Sequence, residues 1–280
     1  MNNICIVGLG LIGGSYAMAL KAAGKTVTAI DINEASISYA LKANIIDDGK
    51  TADYAELLQN ADTIVLALYP HTLIEWVRDN MQFFKSGAII TDVTGVKCGI
   101  VDEVQQLLRK DLTFIACHPM AGREMSGVEY SNPDMFIGAN FIITPTKLND
   151  ESSIVFAREL AATLGFAHIS VLSCEEHDRM IGYVSQLTHA IAVSLMNASD
   201  NTHLAEYTGD SFRDLTRIAS INENMWSELF LMNKDVLTDE IDLFVDAIEN
   251  LKSKLINNDK DGLQQLFIKS TKRRASFNKL

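Results

Sequence analysis

Residues 3–15 read NICIVGLGLIGGS, a short apolar, β-branched run leading straight into Gly8-Leu9-Gly10-Leu11-Ile12-Gly13 and then into a stretch that suits a helix. In that context the G-x-G-x-x-G spacing has a physical reading. Gly8 permits a tight turn, Gly10 lets the backbone approach a pyrophosphate, and Gly13 lets the helix pack close on the strand, while the helix N-terminus attracts the anion. Leu9, Leu11 and Ile12 complete the expected cofactor loop. At the end of the next predicted strand stands Asp31, at the interval where a carboxylate takes the adenosine ribose 2′-hydroxyl. It would repel a 2′-phosphate, and Ile32-Asn33 offer no arginine to hold one, so NAD is expected rather than NADP. The bland alternative is a glycine-rich turn beside a surface aspartate; the strand–loop–helix context weighs against it.

Outward from this stretch, short β-branched runs alternate with helical ones, the pattern of a parallel sheet flanked by helices. Strands are expected at Asn3–Val7, Thr26–Ile30, Thr63–Ala67, Ala88–Asp92 and Thr113–Ala116, with two more at Asn140–Thr144 and Ala167–Val171. From Cys174 the alternation stops and the chain reads as helix after helix without a proline, beginning with Glu175–Met196. The expected class is therefore α/β, with a Rossmann-type dinucleotide-binding domain over residues 1–173 followed by an all-helical domain over 174–280. Helices such as Lys234–Asn257 carry more apolar positions than a small domain can bury, which points to a two-fold homodimer.

Composition narrows the function. The chain has 280 residues, 48% of them hydrophobic, with 24 Lys and Arg against 36 Asp and Glu for a net charge of −12. Such a field repels polyanions and anionic membranes, so neither a nucleic-acid nor a membrane partner is expected. The N-terminus lacks a basic n-region and a cleavage site, and Cys5, Cys98, Cys117 and Cys174 are widely spaced. A reduced, cytoplasmic protein without a zinc or disulfide framework is expected.

A Rossmann domain specifies a cofactor but not a substrate. The second constellation is Cys117-His118-Pro119-Met120-Ala121-Gly122, directly after the predicted strand TFIA, where the carboxyl ends of parallel strands hold ligands. A neutral histidine there could accept a hydroxyl proton while hydride leaves the same carbon; it could equally hydrogen-bond a loop. Four blocks decide between these readings: GLGLIGGS at Gly8–Ser15, HPMAGREMSGVEYS at His118–Ser131, EEHDRMIGYVSQLTHAIA at Glu175–Ala192 and SFRDLTRIASINENMW at Ser211–Trp226. With these the chain resembles the prephenate and arogenate dehydrogenases of tyrosine biosynthesis, in which such a loop is followed by HPMAG and a helical dimerisation domain.

The resemblance implies that His118 is the catalytic histidine, that Arg217 grips a substrate carboxylate, and that His189 matches the second histidine of the family's H-L-P-H helix motif. It also implies that Trp226 approaches the site from a partner subunit. Arg213 and Arg123 are further candidates for holding a dianion. Read alone, Arg217 suits surface ion pairs with its neighbours, His189 a satisfied core position, Trp226 ordinary packing, and His177-Asp178 the capping of a helix. The chain departs from the family pattern at Gly95, where a serine is common, at Gln186 and Thr188 within the H-L-P-H positions, and at Arg123. Thr94, one residue before Gly95, is the expected source of the missing hydroxyl, with a water as the alternative.

The implied reaction is oxidative decarboxylation of prephenate with NAD and no metal. Arogenate is the rival substrate, and a β-hydroxyacid dehydrogenase or a non-catalytic NAD-binding protein are the rival classes. Only the basic tail KSTKRRASFNKL follows the helices. No regulatory domain is expected there, so any inhibition by tyrosine is expected at the active site.

Overall fold

A computed structural model of the chain describes residues 2–122 and 125–277. Strands β1 (Asn3–Val7), β2 (Thr26–Ile30), β3 (Asp48–Lys50), β4 (Thr63–Leu66), β5 (Ile89–Asp92), β6 (Thr113–Met120), β7 (Asn140–Thr144) and β8 (His168–Val171) form one sheet in the order β3-β2-β1-β4-β5-β6-β7-β8. Every neighbouring pair is parallel except β6–β7. Strand order reverses between β1 and β4, and that switch point is where an open α/β sheet leaves a crevice for a ligand. Helices α1 (Leu11–Ala22), α2 (Glu34–Lys42), α3 (Ala55–Asn60), α4 (Pro70–Asn80), α5 (Ile100–Leu107) and α6 (Glu151–Leu164) connect the strands. Two apolar clusters form the core. One gathers Ile4, Ile6, Tyr16, Leu20 and Phe141 with the α1 and α6 side, the other Val7, Ile64, Leu66, Leu73, Val77 and Phe114 with the α4 and α5 side.

Two strands differ from the sequence reading by more than one residue. Asp48–Lys50 forms β3, too short and polar for a periodicity signal, because the outer edge of β2 pairs it through Thr28, Ala29 and Ile30. Strand β6 runs four residues beyond Ala116, through Pro119 to Met120. Its pairing with β5 ends at Thr91↔Ile115, while pairing with β7 continues from Ala116 to Met120. Beyond Ile115 the strand pairs with a neighbouring strand on one side only, so a proline without an N–H is tolerated in it.

Continuous helix begins at α7 (Cys174–Ile181), followed by α8 (Leu187–Asn197), the short α9 (Leu204–Tyr207), α10 (Asp210–Thr216) and α11 (Glu223–Met232). The stretch expected as one helix over Glu175–Met196 is interrupted by a π turn at Gly182–Gln186. There the Ser185 carbonyl accepts the Thr188 hydroxyl at 2.6 Å and the His189 Nδ1–H at 2.9 Å. Such side-chain donors compensate the disturbed backbone ladder of a widened turn. By compactness the chain divides into residues 1–233 and 234–280. Helices α7 and α11 stay in the first unit because buried polar contacts, described below, tie them to the sheet. The second unit consists of α12 (Lys234–Ile256) and α13 (Lys260–Ala275), which pack on each other. Among the described residues no helix is long and apolar enough to cross a membrane.

Candidate active site

The nucleotide loop is shaped by what its glycines exclude. Gly8 has φ +95°, and a Cβ there would stand 2.4 Å from the Ala67 carbonyl oxygen at the end of β4. A Cβ on Gly13 would stand 1.9 Å from the Gly8 oxygen, so α1 approaches the loop closer than any other residue allows. Gly10 is different: a Cβ there meets no protein atom within 4 Å, and no side chain caps α1. The amides of Leu11, Ile12 and Gly13 thus begin a helix whose first turn carries no acidic residue, which suits an anion. Asp31 accepts the Leu9 amide at Oδ2 (2.6 Å) and the Asn33 amide at Oδ1 (2.7 Å), holding its carboxylate against the loop. This cradle fits a dinucleotide.

The second centre is built where β5 and β6 end. Asp92, fully buried, accepts the Cys117 amide at Oδ1 (3.0 Å), and its Oδ2 takes the Lys97 ammonium at 2.6 Å. The same ammonium donates to the Cys117 carbonyl at 2.6 Å. Both backbone polar groups of Cys117, the residue before His118, are therefore clamped by one buried ion pair. Thr94 belongs to this clamp. Its hydroxyl contacts Asp92 Oδ2 and lies 3.0 Å from the Val96 carbonyl and 3.2 Å from Lys97 Nζ. The expectation that Thr94 presents a hydroxyl to the substrate meets a physical obstacle, since the residue is 4% exposed and its oxygen is engaged internally.

His118 is half-buried, and its Nδ1 lies 2.9 Å from His177 Nε2. His177 Nδ1 lies 2.6 Å from Asp178 Oδ1, and the Asp178 carboxylate accepts the Lys97 amide at 2.9 Å and the Cys98 amide at 2.7 Å. The His177-Asp178 pair does not cap α7. That task falls to Ser173 and Glu176, which form a reciprocal capping box. Burial first, then the neighbouring His177 and Lys97, hold the His118 pKa well below the ordinary histidine value. Burial likewise lowers His177, outweighing the opposing bond to Asp178. For Asp178 burial acts upward, but its bonds to His177 and the Cys98 amide prevail and the pKa falls. Both imidazoles are thus neutral bases near pH 7, beside an ionised carboxylate.

Helix α11 completes the surroundings. A Cβ on Gly95 would stand 3.7 Å from the Leu229 methyls and 3.9 Å from His118 Cε1, which brings α11, the β5 loop and the histidine together with room to spare. Gln186 Nε2 donates to the Leu229 carbonyl at 2.9 Å, and Asn233 Nδ2 donates to Gln186 Oε1 at 2.7 Å and to the Asp178 carbonyl at 2.9 Å. One turn before Leu229, Trp226 stacks on His189 of its own chain, with ring centroids 3.7 Å apart. Arg217 opens a 3₁₀ turn, Arg217–Ala219, that packs against α8, the helix of His189. Arg213 is 65% exposed and stands 3.8 Å from Asp210. Arg123 lies outside the described residues. The structure thus joins His118 to Gly95, His177 and Asp178, and His189 to Trp226. Sequence reading left Asp92 and Lys97 without a role, weighed His177-Asp178 as a helix cap at least as much as a ligand pair, and noted Gln186 only as a departure from the H-L-P-H positions; the available signal was a His-Asp pair a full turn inside a helix capped by Ser173.

A nucleotide loop at the switch point and a neutral histidine at the carboxyl edge of the same sheet define a class, the nicotinamide-dependent dehydrogenases. Models of two domains match the chain: prephenate dehydrogenase, nucleotide-binding domain, over residues 16–170, and prephenate dehydrogenase, dimerization domain, over residues 173–269. The chain is 32% identical over 273 residues to a prephenate dehydrogenase of Bacillus subtilis, covering 95% of this chain and 73% of that one. It is 28% identical over 283 residues to a cyclohexadienyl dehydrogenase of Zymomonas mobilis, covering 98% and 96%. A prephenate dehydrogenase from A. aeolicus, solved in complex with hydroxyphenyl propionate and NAD+, superposes with a TM-score of 0.91 at 31% identity over 99% of both chains. The chain belongs to the prephenate dehydrogenase family.

Proposed function

We propose that this protein oxidatively decarboxylates prephenate, with NAD+ as acceptor, to 4-hydroxyphenylpyruvate, carbon dioxide and NADH. The observation that carries the reading is His118, a neutral half-buried imidazole clamped in place where β6 leaves β5. Family membership and the NAD+-bound relative support it. When bound at the Gly8–Gly13 loop and Asp31, NAD+ supplies the hydride acceptor. The chain's own part is to accept the proton of the C4 hydroxyl at His118, which favours departure of hydride from C4; loss of the ring carboxylate then restores aromaticity. His189, Trp226 and Arg217, grouped around α8, are assigned to the substrate's side chain and carboxylates, with Arg213 on α10 a further cation. The clamp position of Thr94 favours a supporting role over substrate contact.

We assign residues 1–173 to nucleotide binding and 174–280 to substrate binding and assembly. A homodimer is supported by the matched dimerization domain and by exposed Leu243, Ile256, Phe267 and Ile268 in the second unit. Cytoplasmic residence fits four free thiols and the absence of a membrane-spanning helix among the described residues. The test is NADH or NADPH formation, read by absorbance, with prephenate or arogenate supplied separately. Turnover with prephenate and NAD+ is expected. Turnover with arogenate alone would change the substrate, and silence in all four combinations would overturn the dehydrogenase reading.

A further inference from the structure

A histidine accepts a proton only at a ring nitrogen that lacks one, and neutral imidazole has two tautomers to choose from. Around His118 the choice is dictated by a chain of groups that ends in backbone amides. The Lys97 and Cys98 amides can only donate, so Asp178 accepts at Oδ1 and Oδ2, at 2.9 and 2.7 Å. His177 Nδ1, 2.6 Å from Asp178 Oδ1, must then carry a hydrogen, which leaves Nε2 of the neutral ring bare. His118 Nδ1, 2.9 Å from that bare nitrogen, must in turn donate to it. The opposite tautomer of His118 would set two lone pairs face to face at that distance.

We infer that His177 and Asp178 are positioning residues that lock His118 in its Nδ1–H tautomer, making Nε2 the only acceptor the ring offers. The inference rests on the reading of His118 as the proton acceptor. When Nε2 takes the hydroxyl proton, the Nδ1–H bond to His177 persists, and the Asp178 charge behind it favours the imidazolium that forms. No proton has to leave toward His177, so the bookkeeping is one proton gained at Nε2 as hydride departs. Asp178 also ties the helical segment to the β5 loop, so movement of α7 would be felt at His118.

The lock is read directly by nitrogen NMR of the whole protein labelled with 15N-histidine, with His118 assigned by its loss in His118→Asn. A protonated Nδ1 and a bare Nε2 are expected; the opposite tautomer, or an averaged mixture, would overturn the inference. Because this reading needs no turnover, it is distinguishable from failure of the prephenate assignment. Kinetics give the second test. Asp178→Asn and His177→Leu should lower kcat roughly 10- to 10³-fold, while KM for prephenate and the Kd of NAD+ change less than about threefold. His177→Gln, whose Oε1 can accept the same hydrogen, should recover most of kcat. If His177→Gln falls as far as His177→Leu, or if the losses appear in KM and Kd, the pair is merely structural.

Discussion

Single side chains here act through the partners that restrict them. His118 could serve as a base in many settings, but its depressed pKa keeps it unprotonated down to mildly acidic pH, and the clamp on Cys117 limits where its ring can go. His118→Asn should fold and bind NAD+ with near-normal affinity, measured by fluorescence titration, while kcat drops roughly 10²- to 10⁴-fold as for loss of a general base. Near-normal turnover would remove His118 from the chemistry. Thr94 and Lys97 show the limit of reading residues one at a time. A threonine beside Gly95 suggests a hydroxyl for the substrate, and a lysine in a β5 loop suggests a surface charge. Both are buried, and each finds its partner in Asp92, a relation set by how β5 and β6 meet.

At the scale of elements, the nucleotide loop and the β5 loop make separable demands. Gly10→Ala adds a methyl that meets no protein atom, so urea unfolding should shift by less than about 0.5 kcal/mol while the Kd for NAD+ rises. Gly13→Ala drives a methyl into the Gly8 carbonyl and should cost about 1–3 kcal/mol of stability before any ligand is added. Equal effects of the two substitutions on stability would contradict the geometry of the loop. Lys97→Met strands the Asp92 carboxylate in the core and should destabilise by about 3–5 kcal/mol; Lys97→Met with Asp92→Asn should be less damaging than the single change. Much of this architecture was legible beforehand. Five β-branched runs marked the parallel strands because their residues are buried on both faces, and the glycine spacing marked the crevice. The extension of β6 through Pro119 was hidden because a proline reads as a strand end unless one flank is known to be unpaired. The His177–Asp178 relay was hidden because it spans from residue 118 to residue 178, a contact that no local pattern encodes.

For the molecule as a whole, the site leaves a mark on stability. His118 and His177 both have folded-state pKa values below the ordinary 6.5, so below that pH the unfolded chain binds protons that the folded chain refuses. The stability they contribute is complete above about pH 6.5 and is lost as pH falls, at up to about 1.4 kcal/mol per pH unit for each group. Urea midpoints measured between pH 7 and pH 5 should therefore decline, and His177→Gln should flatten the decline. An unchanged slope would mean that His177 takes up a proton as readily in the folded protein as in the unfolded chain. The interlock of Asn233 with Asp178 and Gln186 also has a meaning for biogenesis. All eight strands are complete at Val171, yet the contacts that brace the Asp178 backbone and Gln186 are complete only when the chain reaches Asn233. A chain emerging from the ribosome completes the strands of its nucleotide cradle some sixty residues before Asn233 arrives to brace the helix that carries His177 and Asp178, since domains tend to form from the N-terminus during synthesis. For that interval the nascent chain carries its whole sheet without the Asn233 contacts to Asp178 and Gln186.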